Sequence, residues 1–171
     1  MKLLKLLLLL CITTSVYAQN ETSAEYFRHL RYNHVSPYVA LEGTYPIAAE
    51  TAKSTSHYIF TYNDSGKIIE IINNHYHTEK QHPLASLGVY RVLITYHEGQ
   101  EIRTFFDKNG KAITNDREVY KEIYYYNKKE AKSKLQFFDT DSNPMESNWG
   151  IAEYQWVKKK TLIIERRYNL T

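Results

Sequence analysis

"FFDKNGKAITND" runs from Phe105 to Asp116, and "FFDTDSNPMESN" from Phe137 to Asn148. The two stretches share an aromatic pair, an aspartate directly after it and a bend-forming Gly110 or Pro144, at an offset of 32 positions. An aromatic pair places one ring on each face of a strand, because successive side chains point to opposite sides. An aspartate at a strand end accepts hydrogen bonds from nearby backbone N–H groups and starts a turn. Written twice, the phrase reads as one corner built twice, the end of one β-hairpin plus the connector to the next. Asp107 and Asp139 are then turn formers, not catalytic acids.

Four segments repeat around these corners, starting at His57, Gly88, Glu118 and Gly150, so their starts are 31, 30 and 32 residues apart. Each has an aromatic-rich strand, a short polar turn and a second apolar strand, the pattern of a hairpin array. On the first strands Tyr58, Phe60 and Tyr62 share a face, as do Val92, Ile94 and Tyr96, then Tyr124 and Tyr126, then Tyr154 and Trp156. The returning strands are expected to add Ile68 and Ile72, then Ile102, Thr104 and Phe106, then Leu135 and Phe137, then Leu162, Ile164 and Tyr168 to that face. "NDSGK" at Asn63 and "HEGQE" at His97 place a glycine where positive φ is needed. "NKKEAKS" at Asn127 has none and is expected to be longer and less regular. "KKK" at Lys158–Lys160 reads as the tip of the last hairpin, and Arg166 and Arg167 point to opposite faces.

Residues before the array differ. Ser23 is a candidate N-cap, and Tyr26, Phe27 and Leu30 stand at helical spacing, which predicts a short helix over 23–33. The following stretch, with Pro37 and Pro46, reads as irregular chain with one edge strand around Tyr38 to Leu41. The fold class expected is mainly β: about four consecutive antiparallel hairpins in a twisted or curled meander sheet, with a short N-terminal helix. The organisation expected is a signal peptide over 1–18, an N-terminal helix and irregular segment over 19–56, and a repeat domain over 57–171.

The signal peptide follows from Lys2 and Lys5, the apolar run Leu3–Ile12, and the small residues Val16 and Ala18, with cleavage after Ala18. That run is too short for a membrane span, which needs roughly 20 residues. Cys11 follows Leu10, where a lipidation signal prefers a small residue. Cleavage would remove the only cysteine and leave 20 Lys+Arg against 19 Asp+Glu. A near-neutral, cysteine-free chain of that size relies on its own core and has no strong attraction to nucleic acid. No membrane span is expected after cleavage.

"FFDKNGKAITN", "FTYNDSGKIIEI" and "SNWGIAEYQW" resemble the hairpin repeats of bacterial secreted proteins, the YD-repeat (Rhs-like) class and the related "FDxxGKP" repeats of Bacteroidota. The resemblance covers about 57–170 and implies sheets of hairpins acting as shells, scaffolds or adhesive surfaces. It carries no catalytic residues.

Chemistry-bearing candidates are few. "NHYHTEKQH" holds His75, His77, Glu79 and His82, and imidazoles two apart on a strand can share a Zn²⁺ ion. That makes a metal-dependent hydrolase the competing class. The chain has no G-x-S-x-G motif and no phosphate-binding glycine loop. Trp149, Trp156 and Tyr154 are the candidates for a carbohydrate-binding surface if a tyrosine-rich face is open. The function expected is an exported, non-catalytic binding or scaffolding module in the periplasm, on the outer surface or in the medium. It calls for no cofactor, and its partner would be a protein or glycan at the cell envelope. The last strand leaves an edge that another copy can pair with.

Overall fold

The computed structural model describes residues 22–74, 76 and 87–170. Ten strands lie in one open antiparallel sheet: β1 Ser23–Arg31, β2 Glu42–Ile47, β3 Tyr58–Tyr62, β4 Ile68–Asn73, β5 Arg91–His97, β6 Gln100–Phe106, β7 Lys121–Tyr126, β8 Lys132–Phe138, β9 Glu153–Lys159 and β10 Leu162–Tyr168. The order is β10-β9-β8-β7-β6-β5-β4-β3-β1-β2. Four hairpins from β3 to β10 form the expected meander, and β1–β2 adds a fifth at the far edge. A four-residue helix, α1, spans Ala49–Ala52 between β2 and β3.

The two corners are the same structure. Asp107 Oδ1 accepts the N–H groups of Asn109 and Lys111 at 2.8 and 2.9 Å; Asp139 Oδ1 accepts those of Asp141 and Asn143 at 2.9 and 2.8 Å. Each chain then returns to its strand, Ile113 N–H donating to Phe105 O and Met145 N–H to Phe137 O, both at 3.0 Å. Asn63 and Asn127 make the same side-chain bonds at hairpin tips. "NKKEAKS" is therefore as short and regular as its glycine-bearing counterpart. The Asn127 amide fixes its form, and Glu130 takes the positive-φ position at 56°.

The aromatic face is as expected on the first strands: Tyr58, Phe60, Val92, Ile94, Tyr124, Tyr154 and Trp156 are buried. Three returning strands correct the expectation. On β6 the buried residues are Glu101, Arg103 and Phe105, not Ile102, Thr104 and Phe106. The tip at Glu98 and Gly99 holds two residues, which sets Ile94 opposite Arg103 and Val92 opposite Phe105. On β10 the two-residue tip at Lys160 and Thr161 likewise sets Trp156 opposite Glu165, so Leu162, Ile164 and Tyr168 lie on the outer face. On β4 a bulge at Thr61/Tyr62 brings Ile71 inward in place of Ile72.

Residues 23–31 are a strand, not a helix. Tyr26 sits opposite Ile59 on one side and Ile47 on the other, and pairing on both sides outweighs the helical spacing of three residues. The edge strand expected at Tyr38–Leu41 is not a strand; those residues belong to the connection between β1 and β2, and the edge strand is β2, Glu42–Ile47. Gly43 is required there, since a Cβ at that position would meet the Phe27 ring carbons at 2.3–2.7 Å. Among the described residues no helix is long and apolar enough to cross a membrane.

Candidate functional site

The residues between β1 and β2, Tyr32 to Leu41, lie across the inner face and reach the opposite end of the sheet. Tyr38 packs edge-on against Trp156 on β9, with ring centroids 5.4 Å apart. Ser36 Oγ donates to Glu165 on β10 at 3.2 Å, and Arg167 donates to Val35 O at 3.4 Å. In the middle, Lys132 on β8 donates to the carbonyls of Pro37 and Tyr38 at 3.4 and 3.2 Å. Arg117 donates to those of Asn33 and His34 at 3.1 and 3.3 Å. A stretch with little regular structure of its own thus seals the aromatic core, and protein donors satisfy its carbonyls.

Beneath this plug lies a charged network. Tyr124, Trp156 and Tyr154 stack in a row, with centroids 6.4 and 6.0 Å apart. Arg103 and Lys132 lie 4.3 and 4.5 Å from the centre of the Tyr124 ring. Glu122 on β7 has no exposed surface. It accepts from Asn115 Nδ2 at 2.9 Å, Arg117 at 3.0 Å and the Tyr124 hydroxyl at 3.1 Å. Glu101 accepts from Arg103 and from the Tyr126 hydroxyl, each at 2.6 Å. Burial alone works to raise the Glu101 carboxyl, but Arg103, Tyr126 and Lys132 bring it below the ordinary carboxylate range. Lys132 moves the other way. Burial, and then the Arg103 guanidinium, push its ammonium down to about 7.

A second group sits at the first corner. Asp116 accepts from the Tyr32 hydroxyl at 2.5 Å and pairs with His34 Nδ1. Burial raises the Asp116 carboxyl despite Arg117, Tyr32 and His34. Trp149, from the second corner, stands edge-on to the His34 ring at 4.7 Å. Asp116 Oδ1 and Arg117 Nε are buried here with no hydrogen-bond partner among the described residues.

The network bonds its carboxylates to guanidinium, amide or hydroxyl donors, an arrangement that holds these side chains in place. Among the described residues no serine or threonine hydroxyl is hydrogen-bonded to a histidine ring; Thr44 Oγ donates to the His29 carbonyl at 3.4 Å. An open groove of about 490 Å³ at the hairpin tips is lined by Lys67, Tyr96, Gln100, Glu101, Tyr126 and Glu130. Burial, with the Glu101 charge adding to it, pushes the Tyr96 hydroxyl up to about 12. That hydroxyl donates to Ile68 O at 2.9 Å.

Of the residues singled out from sequence, Tyr154 and Trp156 are 1% and 5% exposed and belong to the core, whereas Trp149 is 44% exposed. His75, His77, Glu79 and His82 lie outside the described residues. Among the described residues, no group of three His, Cys, Asp or Glu side chains is gathered to hold a metal ion. Sequence reasoning missed the plug and the buried Glu101, Arg103, Arg117 and Glu122. For β6 the usable signal was the two-residue tip, which fixes which parity faces inward. No protein-family model, curated protein or solved structure matches the chain.

Proposed function

We propose that this chain is an exported, non-catalytic binding or scaffolding module of the bacterial cell envelope. The observation that carries the reading is the plug that covers the aromatic core on the inner face. Its titratable groups are engaged in holding the plug and each other, so they serve the fold and not a reaction. Binding then falls to the outer face, the edges and the hairpin tips. The amino-terminal run of Lys2, Lys5 and Leu3–Ile12 supports export, and the hairpin array supports kinship with secreted hairpin repeats. Fractionation of bacteria expressing the full chain tests the compartment: the expected product leaves the cytoplasm and begins at Gln19. A chain retained in the cytoplasm with residues 1–18 intact would end the envelope reading.

One observation favours a narrower reading. Trp149 is the member of the aromatic set that offers its ring to solvent, so a glycan surface would centre on it. Tryptophan fluorescence across a polysaccharide panel tests this, with a response in the parent chain that Trp149→Ala abolishes. An unchanged spectrum with every glycan removes it. The zinc reading of His75, His77 and His82 is tested by calorimetry, and absence of heat at micromolar metal retires it.

A further inference from the structure

The two edges of the sheet are not equivalent. At β2 the edge is interrupted: Pro46 offers no N–H, and Tyr45 stands at φ 58°. At β10 the run LIIERRY has neither device, and no described strand pairs with its outer side. Leu162 is 66% exposed, and Ile163, Ile164, Tyr168 and Leu170 are exposed with it, next to Val157 of β9. An unpaired strand with exposed apolar side chains along it is a template for another strand.

We propose that β10 pairs antiparallel with β10 of a second copy about a twofold axis at Arg166. The interrupted β2 edge argues against head-to-tail joining of β2 to β10, which would build filaments, and leaves the closed, self-complementary pairing. A twofold axis perpendicular to the sheet keeps each residue on its own face, so only residues of like face can oppose one another. With the axis at Arg166, Ile164 meets the partner's Tyr168 on the outer face, and Leu162 lies toward the partner's Leu170, which follows the strand and donates its N–H to Glu146. On the inner face Glu165 meets the partner's Arg167, twice by symmetry. Within one chain Arg167 already bonds Glu165 at 2.8–2.9 Å and is partly exposed, so it can serve both carboxylates. An axis at Glu165 would oppose two carboxylates and set Ile163 against Arg167. An axis at Ile164 would set Ile163 against Glu165. Charge complementarity therefore selects the register, and its one like-charge contact is Arg166 with itself on the exposed face.

The proposal goes beyond the envelope reading and does not depend on it, because dimerisation is measured on purified protein from any compartment. Sedimentation from about 1 to about 200 µM is expected to show a monomer–dimer equilibrium, with Ile164→Lys raising the dimer Kd at least about tenfold. Tyr45→Lys, on the other edge, is expected to leave it unchanged. If circular dichroism shows that Ile164→Lys does not fold, Leu162→Lys, at the most exposed of these positions, replaces it. In a Cys11→Ser background, Arg166→Cys is expected to give a disulfide-linked dimer under air oxidation, since directly opposed strand residues lie within disulfide reach. A monomer throughout the range, or a dimer indifferent to the lysine variants, overturns the interface. A dimer in which Ile164→Cys crosslinks and Arg166→Cys does not overturns the register.

Discussion

The two corners, Phe105–Asp116 and Phe137–Asn148, share a backbone and differ in what their side chains serve. Position for position, Asp107 answers to Asp139, Gly110 to Ser142 and Glu118 to Gly150, and the last two pairs hold the same positive φ, 79° and 68°, then 62° and 68°. Arg117 answers to Trp149. In the first corner that position buries a guanidinium that holds Glu122 and two plug carbonyls; in the second it presents a half-exposed indole. Aspartate hydrogen bonds to backbone N–H groups set the corner's shape, so the positions beyond are free to specialise.

The largest test of this contrast replaces each of the two specialised residues in turn. Arg117→Met leaves Glu122 buried and short of a cationic partner, and should cost about 3–5 kcal/mol. Trp149→Ala should cost about 1 kcal/mol, in line with a partly exposed site. Urea melts of both variants measure the gap, and equal losses would show that the corners are not differentiated.

A second test asks whether the ionised first corner and plug give the fold a pH signature. Folded Lys132 titrates near 7 and the unfolded side chain near 10.5, so across this window the unfolded state binds more protons. Stability should therefore rise with pH, by on the order of 2 kcal/mol between about pH 7 and pH 9.5. The buried Tyr32, Tyr124 and Tyr126 hydroxyls, held above their ordinary value by burial first, keep their protons throughout that window. Lys132→Met should flatten the rise, and a rise of the same size in the variant would assign it elsewhere.

The shared half of the comparison predicts smaller, matched effects. Asp107→Ala and Asp139→Ala should lower the urea midpoint by similar amounts, whereas Asp107→Asn should be silent, because Asn63 and Asn127 already do the same work. Smallest of all, Glu118→Gly should stabilise by about 1 kcal/mol and Gly150→Ala should destabilise by about as much. No atom stands closer than 3.9 Å to a Cβ built at Gly150, so conformational strain alone decides that result.

These comparisons also show which parts of the fold were legible in the sequence. Turn chemistry was: Asp107, Asp139 and Asn63 do what their residue types imply, and so the hairpin array could be read. Asn127 shows that glycine was a poorer guide than the side chain that begins the turn. Facing was legible only where one parity was plainly aromatic. On β6 both parities carry apolar residues, and the tip length, not composition, decided in favour of Glu101 and Arg103. The plug was not legible, because Tyr32–Leu41 owes its conformation to carbonyl partners on β8, on β10 and at the first corner. Residues 23–31 show the same limit, since neighbouring strands overrode a helical spacing.

The plug also bears on how the chain is made. Val35 and Ser36 find their partners in Arg167 and Glu165, 132 and 129 positions later. During synthesis the plug emerges before the strands it covers, and it stays unanchored at its far end until the final hairpin arrives. Closing so long a loop late slows folding and leaves unfinished chains with apolar surface exposed.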